Sequence, residues 1–132
     1  MTFLRVGGLF SALRAPAALV RAAVGSTDPD TVAIRLAQEL EGGPVIAAHS
    51  TTHFYFLMLP AAASTTGRVQ GAEYLARGTL LGVPPLTVNA SQEPGGSYWA
   101  VPMISPVRLC HAPWVMRLLE RGRIGLDGGD ER

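Results

Sequence analysis

The sequence predicts an α+β domain with a mainly antiparallel sheet, and three observations carry that expectation. Short apolar runs rich in β-branched and aromatic residues follow one another through the middle of the chain, bounded by Gly, Pro, Ser or Thr. Segments with helical spacing lie before and after that block, and strands grouped between helices indicate antiparallel pairing. At 132 residues, 48% hydrophobic and 16% charged, the chain has the size and composition of one globular domain with its own core. The expected sheet has four to five strands, two hairpins plus one strand, flanked by an N-terminal-side helix and a C-terminal helix.

Residues 1–27 read as a basic N-terminal arm or helix. Leu13, Ala17 and Val20 fall on one side of a helix from about Leu9 to Val24, which Pro16 would kink or start late. The domain proper is expected over 28–122, and a flexible tail over 123–132. Asp28 is an N-cap, Pro29 occupies the first helical position and Asp30 suits the positive end of the helix dipole. Val32, Ala33, Leu36, Ala37 and Leu40 then recur at helical spacing, and Gly42 and Gly43 end the helix at about 41.

Pro44 to Ser50 and Phe54 to Leu59 read as the two strands of a hairpin joined by a polar turn at Ser50 to Thr52. Phe54 to Leu59 is apolar on both alternating faces, so both sides of the sheet must be covered, by the N-terminal segment or by a second subunit. Glu73 to Ala76 and Thr79 to Val83 read as a second hairpin about Arg77 and Gly78, with Leu75 facing Leu80 and Tyr74 facing Leu81. Gly82 suggests a bulge or a close backbone approach. Residues 84–96 form a long loop, functional or mobile. Ser97 to Met103 is a fifth strand with Tyr98 and Trp99 on opposite faces. A helix from Ala112, with Pro113 near its first position and Gly122 as its stop, buries Trp114, Val115, Leu118 and Leu119.

Composition excludes several chemistries. All eleven basic residues are arginine, and without lysine neither a P-loop nor a Schiff-base site can be built. Arg5, Arg14 and Arg21 give residues 1–27 a charge of +3, while eight arginines against ten acids give the remainder −2. A nucleic-acid-binding body normally carries a clustered basic face, which a mildly acidic body with dispersed arginines does not provide. The arginine-only usage, with fifteen glycines and ten prolines, is what a GC-rich genome produces. Arg14 and Arg21 interrupt the apolar start where a signal peptide needs an uncharged core. The apolar run from Phe54 to Ala63 falls far short of the ~20 residues of a spanning helix. One cysteine permits no intrachain disulfide and suits a reducing cytoplasm.

The candidate metal ligands are His49 and His53, flanking the first hairpin turn, with Cys110 and His111. Structural zinc sites show paired cysteines at short spacing, and a polar hairpin tip explains the two histidines equally well, so no metal and no cofactor are expected. Cys110 as a nucleophile with a histidine base is outweighed by a small side chain packed before a helix. No Gly-x-Ser-x-Gly elbow is present, and the scattered carboxylates give no acid/base pair. Tyr98 or Trp99 could stack on a nucleobase with Arg77 or Arg108 nearby, against the alternative that both rings are packing.

His53 to Pro60, Tyr74 to Pro85 and Tyr98 to Met103, taken together over about 44–105, resemble small uncharacterised actinobacterial proteins. More distantly, they resemble part of the bifunctional DNA primase/polymerase-type domains. The resemblance implies an acidic metal-binding pair with a nearby histidine and basic nucleotide-binding residues. Between Gly42 and Leu119 this chain has only Glu73 and Glu93 as acids, so no catalytic residue is carried over. Two functions follow as expectations. One is a non-catalytic interaction module, homodimeric or with another protein. The other is a diverged primase-like, nucleic-acid-associated protein of a mobile element, using Arg5, Arg14 and Arg21.

Overall fold

A computed structural model describes residues 2–7, 10–48, 52–59, 71–83, 98–103 and 109–129. The fold is α+β. Its strands are β1 Thr2–Arg5, β2 Ser11–Pro16, β3 Val45–Ala47, β4 His53–Met58, β5 Glu73–Tyr74, β6 Leu80–Val83 and β7 Tyr98–Val101. The helices are α1 Ala17–Val24, α2 Pro29–Glu39 and α3 Ala112–Gly129. Five strands make one sheet in the order β5-β2-β4-β3-β7, and β1 with β6 makes a separate two-stranded ribbon. Every strand pair is antiparallel.

The N-terminal segment departs from the helix or arm expected of it. Ser11 to Pro16 is an interior strand, paired on one side with all of β4 and on the other with β5. Pro16 decides the matter. Its φ of −61° and ψ of 143° are extended, and α1 begins only after it. Leu13, Ala17 and Val20 share one core, as helical spacing suggested, but Leu13 reaches it from a strand and the other two from a helix.

α2 matches its expectation closely. The Asp28 carboxylate accepts hydrogen bonds from the Thr31 amide at 3.0 Å and the Thr31 hydroxyl at 2.8 Å, and these bonds hold its carboxyl below the usual range. β3 and β4 pair as the first hairpin, with Val45 opposite Phe56 and Ala47 opposite Phe54.

The second hairpin is corrected. A turn does form at Arg77 and Gly78, with the Thr79 amide bonded to the Ala76 carbonyl at 3.0 Å and Gly78 at a φ of +91°. Its two arms do not pair with each other. Tyr74 lies opposite Leu13 on β2, while Leu80 lies opposite Arg5 and Leu81 opposite Leu4 on β1. Thus 73–83 runs antiparallel to 2–7 and 10–16 as a ribbon that bends at Gly7 (φ +103°) on one side and Gly78 on the other. The Val6 amide donates to Thr79 O (2.9 Å) and the Gly78 amide to Val6 O (2.8 Å) across that bend. Gly82 sits in regular register opposite Phe3, with no bulge.

The bend folds the ribbon across the sheet, so both faces are covered over Phe54 to Met58, as expected, whereas Leu59, just past the strand, is exposed. Phe54, Phe56 and Met58 point to the helical side with Leu13, Ala15, Val45 and Ala47. Leu57 points to the other side with Ala12, Ile46 and Trp99, under Val6, Phe10 and Leu81. The cover is therefore the N-terminal segment and its β6 partner.

α3 also runs differently from its expectation. Gly122 is not a stop, and the helix continues to Gly129 through part of the expected tail. A Cβ at 122 would lie 2.3 Å from the Leu19 carbonyl oxygen and 3.1 Å from Ala23 Cβ, so glycine lets α1 and α3 meet backbone to backbone. Val115, Leu118 and Leu119 are buried as expected, whereas Trp114 is only partly buried, its ring 4.4 Å from that of His111.

Candidate interaction face

The arginines that gave the N-terminal segment its charge are separated by the fold. Arg14, on β2, forms an ion pair with Glu73 on β5. Arg21 lies on α1, in the helical layer, beside a shallow open groove that also includes Ser26 and Leu126. Arg5 is exposed on β1. The described residues of 1–27 therefore present no single basic surface, and they supply a ribbon strand, an interior strand and a packed helix.

Other arginines hold the helical layer together. Carbonyls in the last turn of a helix lack intrahelical partners. In α1 the Arg21 carbonyl receives the Gly25 and Ser26 amides at 2.8 and 3.2 Å. Ala23 O accepts from Arg121 Nε at 3.1 Å, and Val24 O accepts from the Arg35 guanidinium. Arg121 also bonds Glu39 at 2.9 Å, tying α3 to α2.

Tyr98 and Trp99 lie on opposite sheet faces as expected, and both are buried. Neither ring is open to a base, because the helices cover one and the ribbon the other. Arg108 and His49 lie outside the described residues. Cys110 is buried, its thiol donating to the Pro44 carbonyl at 3.3 Å, and burial pushes its pKa from 9.0 up to about 12. Such a thiol is protonated at neutral pH and makes a poor nucleophile. Its tight fit is plain from Gly43, where a Cβ would come within 2.7 Å of the sulfur. His111 next to it is exposed and turned to Trp114, and His53 is half-buried with Nδ1 3.2 Å from the Thr52 hydroxyl. Among the described residues no group of three His, Cys, Asp or Glu side chains could hold a metal.

One surface stands apart from these packed regions. Residues directly opposite in an antiparallel pair share a face. In the ribbon, Leu4 and Leu81 share the inner face, where Leu81 is 5% exposed and Leu4, nearer the ribbon's free end, is still 38% exposed. Phe3, Arg5, Leu80 and Gly82 turn outward, with Phe3 63% and Leu80 56% exposed. Gly82, opposite Phe3, adds no side chain to this face. At the bend the exposed Arg77 packs its stem over Gly7, where a Cβ would meet Arg77 Cγ at 2.5 Å. The described residues of β1, β6 and the bend include no acid. The face is apolar at its centre and basic at the end nearer the bend.

Sequence reasoning singled out Arg5 and Arg77 of this face but missed Phe3 and Leu80. Leu80 lies in a run that reads as an ordinary strand and Phe3 in the segment that reads as a basic arm or helix, and only the pairing of 2–5 with 80–83 shows that they share an outward side.

Comparisons with protein-family models, curated proteins and solved structures found no match. Among the described residues no helix is long and apolar enough to cross a membrane.

Proposed function

We propose that the chain is a non-catalytic interaction module that binds protein through the outward face of the β1–β6 ribbon. The observation that carries this reading is the pair of large apolar side chains, Phe3 and Leu80, held outward on a ribbon whose other face is anchored in the core. An exposed Leu or Phe alone means little, but a ribbon that presents both beside a bare glycine, with arginine at its end, has the aromatic and arginine content of contact surfaces. Covering the exposed parts of the two side chains contributes about 1–2 kcal/mol each. A contact of this size suits a transient partner. The unpaired buried cysteine fits a reducing compartment, and we take the cytoplasm as the place of action.

The test is cross-linking in living cells. A photoreactive phenylalanine analogue in place of Phe3 is expected to capture one defined protein, while the same analogue in place of the exposed Arg117 on α3 does not. Equal yields at both sites would sink the reading. Wild-type binding to a single-stranded oligonucleotide at moderate salt, lost in Arg5→Ser, would favour the nucleic-acid function instead.

A further inference from the structure

We infer that the occupant of the ribbon face is a second copy of this chain, docking through the outer side of α2 to give head-to-tail association. The inference rests on the ribbon face being a protein-binding surface, and it names the partner. The ribbon presents Phe3 and Leu80 with Arg5 and Arg77, and its described residues have no acid. The complementary pattern lies along the side of α2 that faces away from Val32 and Leu36; the exposed Ile124 of α3 has Glu120 beside it but also the exposed Arg121, which would oppose a basic face. On that side of α2, Asp30, Ile34 and Gln38 follow at four-residue spacing, with Ile34 59% exposed, and exposed Glu41 lies just past the helix. Arg35, the one basic residue of α2, turns away from this line to reach the Val24 carbonyl. The lengths also agree. Asp30 to Gln38 spans about 12 Å of helix, and β1 spans about 10 Å.

Two arguments fix the mode of association. Ribbon against ribbon about a two-fold axis would bring Arg5 and Arg77 of both copies onto faces that offer them no acid, and like charges so placed repel. Within one copy the two surfaces cannot meet, because α2 lies on the helical side of the sheet and the ribbon covers the other side. Each copy therefore offers its ribbon to one neighbour and its α2 to another. Such a contact does not stop at two copies unless the rotation closes a ring. The patch is small against the ~1,000 Å² of a stable interface, so the association is weak, with a dissociation constant on the order of 100 μM.

The experiment is sedimentation of the purified full chain from about 20 μM to about 1 mM, bracketing that constant. The mean mass is expected to rise with concentration beyond that of two chains. Leu80→Thr and Ile34→Asp should each weaken association about tenfold, and Arg5→Asp and Asp30→Arg each about threefold to fivefold. An equimolar mixture of Arg5→Asp with Asp30→Arg should associate more strongly than either variant alone and come within about twofold of the wild type, since half of the ribbon–α2 encounters are complementary, which also shows that both variants are folded. A mass fixed at one chain overturns the inference, and so does a plateau at two chains that Asp30→Arg leaves unchanged. If the pure chain stays single while the analogue at Phe3 captures a different protein in cells, self-docking falls and the ribbon stands as a binding face. If that cross-link is absent, or joins the analogue to a peptide of its own copy, both readings fall.

Discussion

The two sides of the five-stranded sheet are covered in different ways. On one side three helices pack through buried Leu, Val and Phe side chains, and arginines from two of them bind carbonyls at the end of the third. On the other side the cover is a two-stranded ribbon, one residue thick, whose outward side chains include exposed Phe3 and Leu80. A helix can turn its apolar stripe inward and present a polar surface to water. A ribbon alternates, so placing Leu81 inward commits its neighbours Leu80 and Gly82 to the outside. The helical side therefore holds most of the stability, and the ribbon side combines cover with display.

Substituting one phenylalanine on each side gives the strongest contrast. Phe56 is fully buried under the helices, and Phe56→Ala removes a ring that its neighbours cannot replace. The expected cost is about 3–5 kcal/mol, read from urea unfolding midpoints. Phe3→Thr keeps a β-forming residue at an exposed position and should change stability by less than about 0.5 kcal/mol. If Phe3→Thr cost as much as Phe56→Ala, Phe3 would be part of the core, and the ribbon would be no display surface.

Two glycines of α3 sharpen the account of the helical side. Gly122→Ala must push a methyl group against the Leu19 carbonyl at 2.3 Å, and backbone cannot move aside cheaply. Even after the better helix propensity of alanine, a loss of about 1–3 kcal/mol is expected. At Gly125 the added Cβ would lie 3.9 Å from Ala22 Cβ and Ala22 O, an ordinary contact. Gly125→Ala should therefore stabilise the chain, by up to about 1 kcal/mol. Equal effects at both positions would mean that α1 and α3 do not approach closely at Gly122.

What the sequence made legible follows the range of the interactions involved. α2 announced itself because its cap, its proline and its stripe all lie within one short stretch, Asp28 to Leu40. The β3–β4 hairpin was similarly local, and the doubly apolar β4 correctly required a cover on each face. Ser11 to Pro16 was not legible as a strand, since Leu13 also fits a helical spacing with Ala17 and Val20, and its partners lie some forty and sixty residues away. Gly122 misled for the same reason: glycine reads as a stop, and only the nearness of α1 shows it to be a contact. The ribbon face was half legible. Arg5 and Arg77 drew notice by their charge, whereas exposed Leu80 was hidden by the rule that apolar strand residues point inward, and Phe3 by the reading of its segment as an arm or helix.

The smallest expected effect concerns the cap of α2 and isolates one charge on the helical side. Asp28 carries two hydrogen bonds from Thr31 that favour its ionised form, so its carboxyl titrates lower in the folded chain than in the unfolded one. Between those two values the unfolded chain binds more protons, and stability rises with pH. The contribution is present above the unfolded value and is lost as the pH falls through the folded one. Asp28→Asn keeps an oxygen that can accept from the Thr31 amide but removes the titration. Urea midpoints of the two chains should thus differ in favour of the wild type at pH 6 and converge as the pH falls below the ordinary carboxyl range. All other acids are common to both chains, including the neighbouring Asp30, so their titration cancels in the difference. A difference that stayed constant down to the acid limit would show that Asp28 caps α2 through geometry alone, with no contribution from its charge.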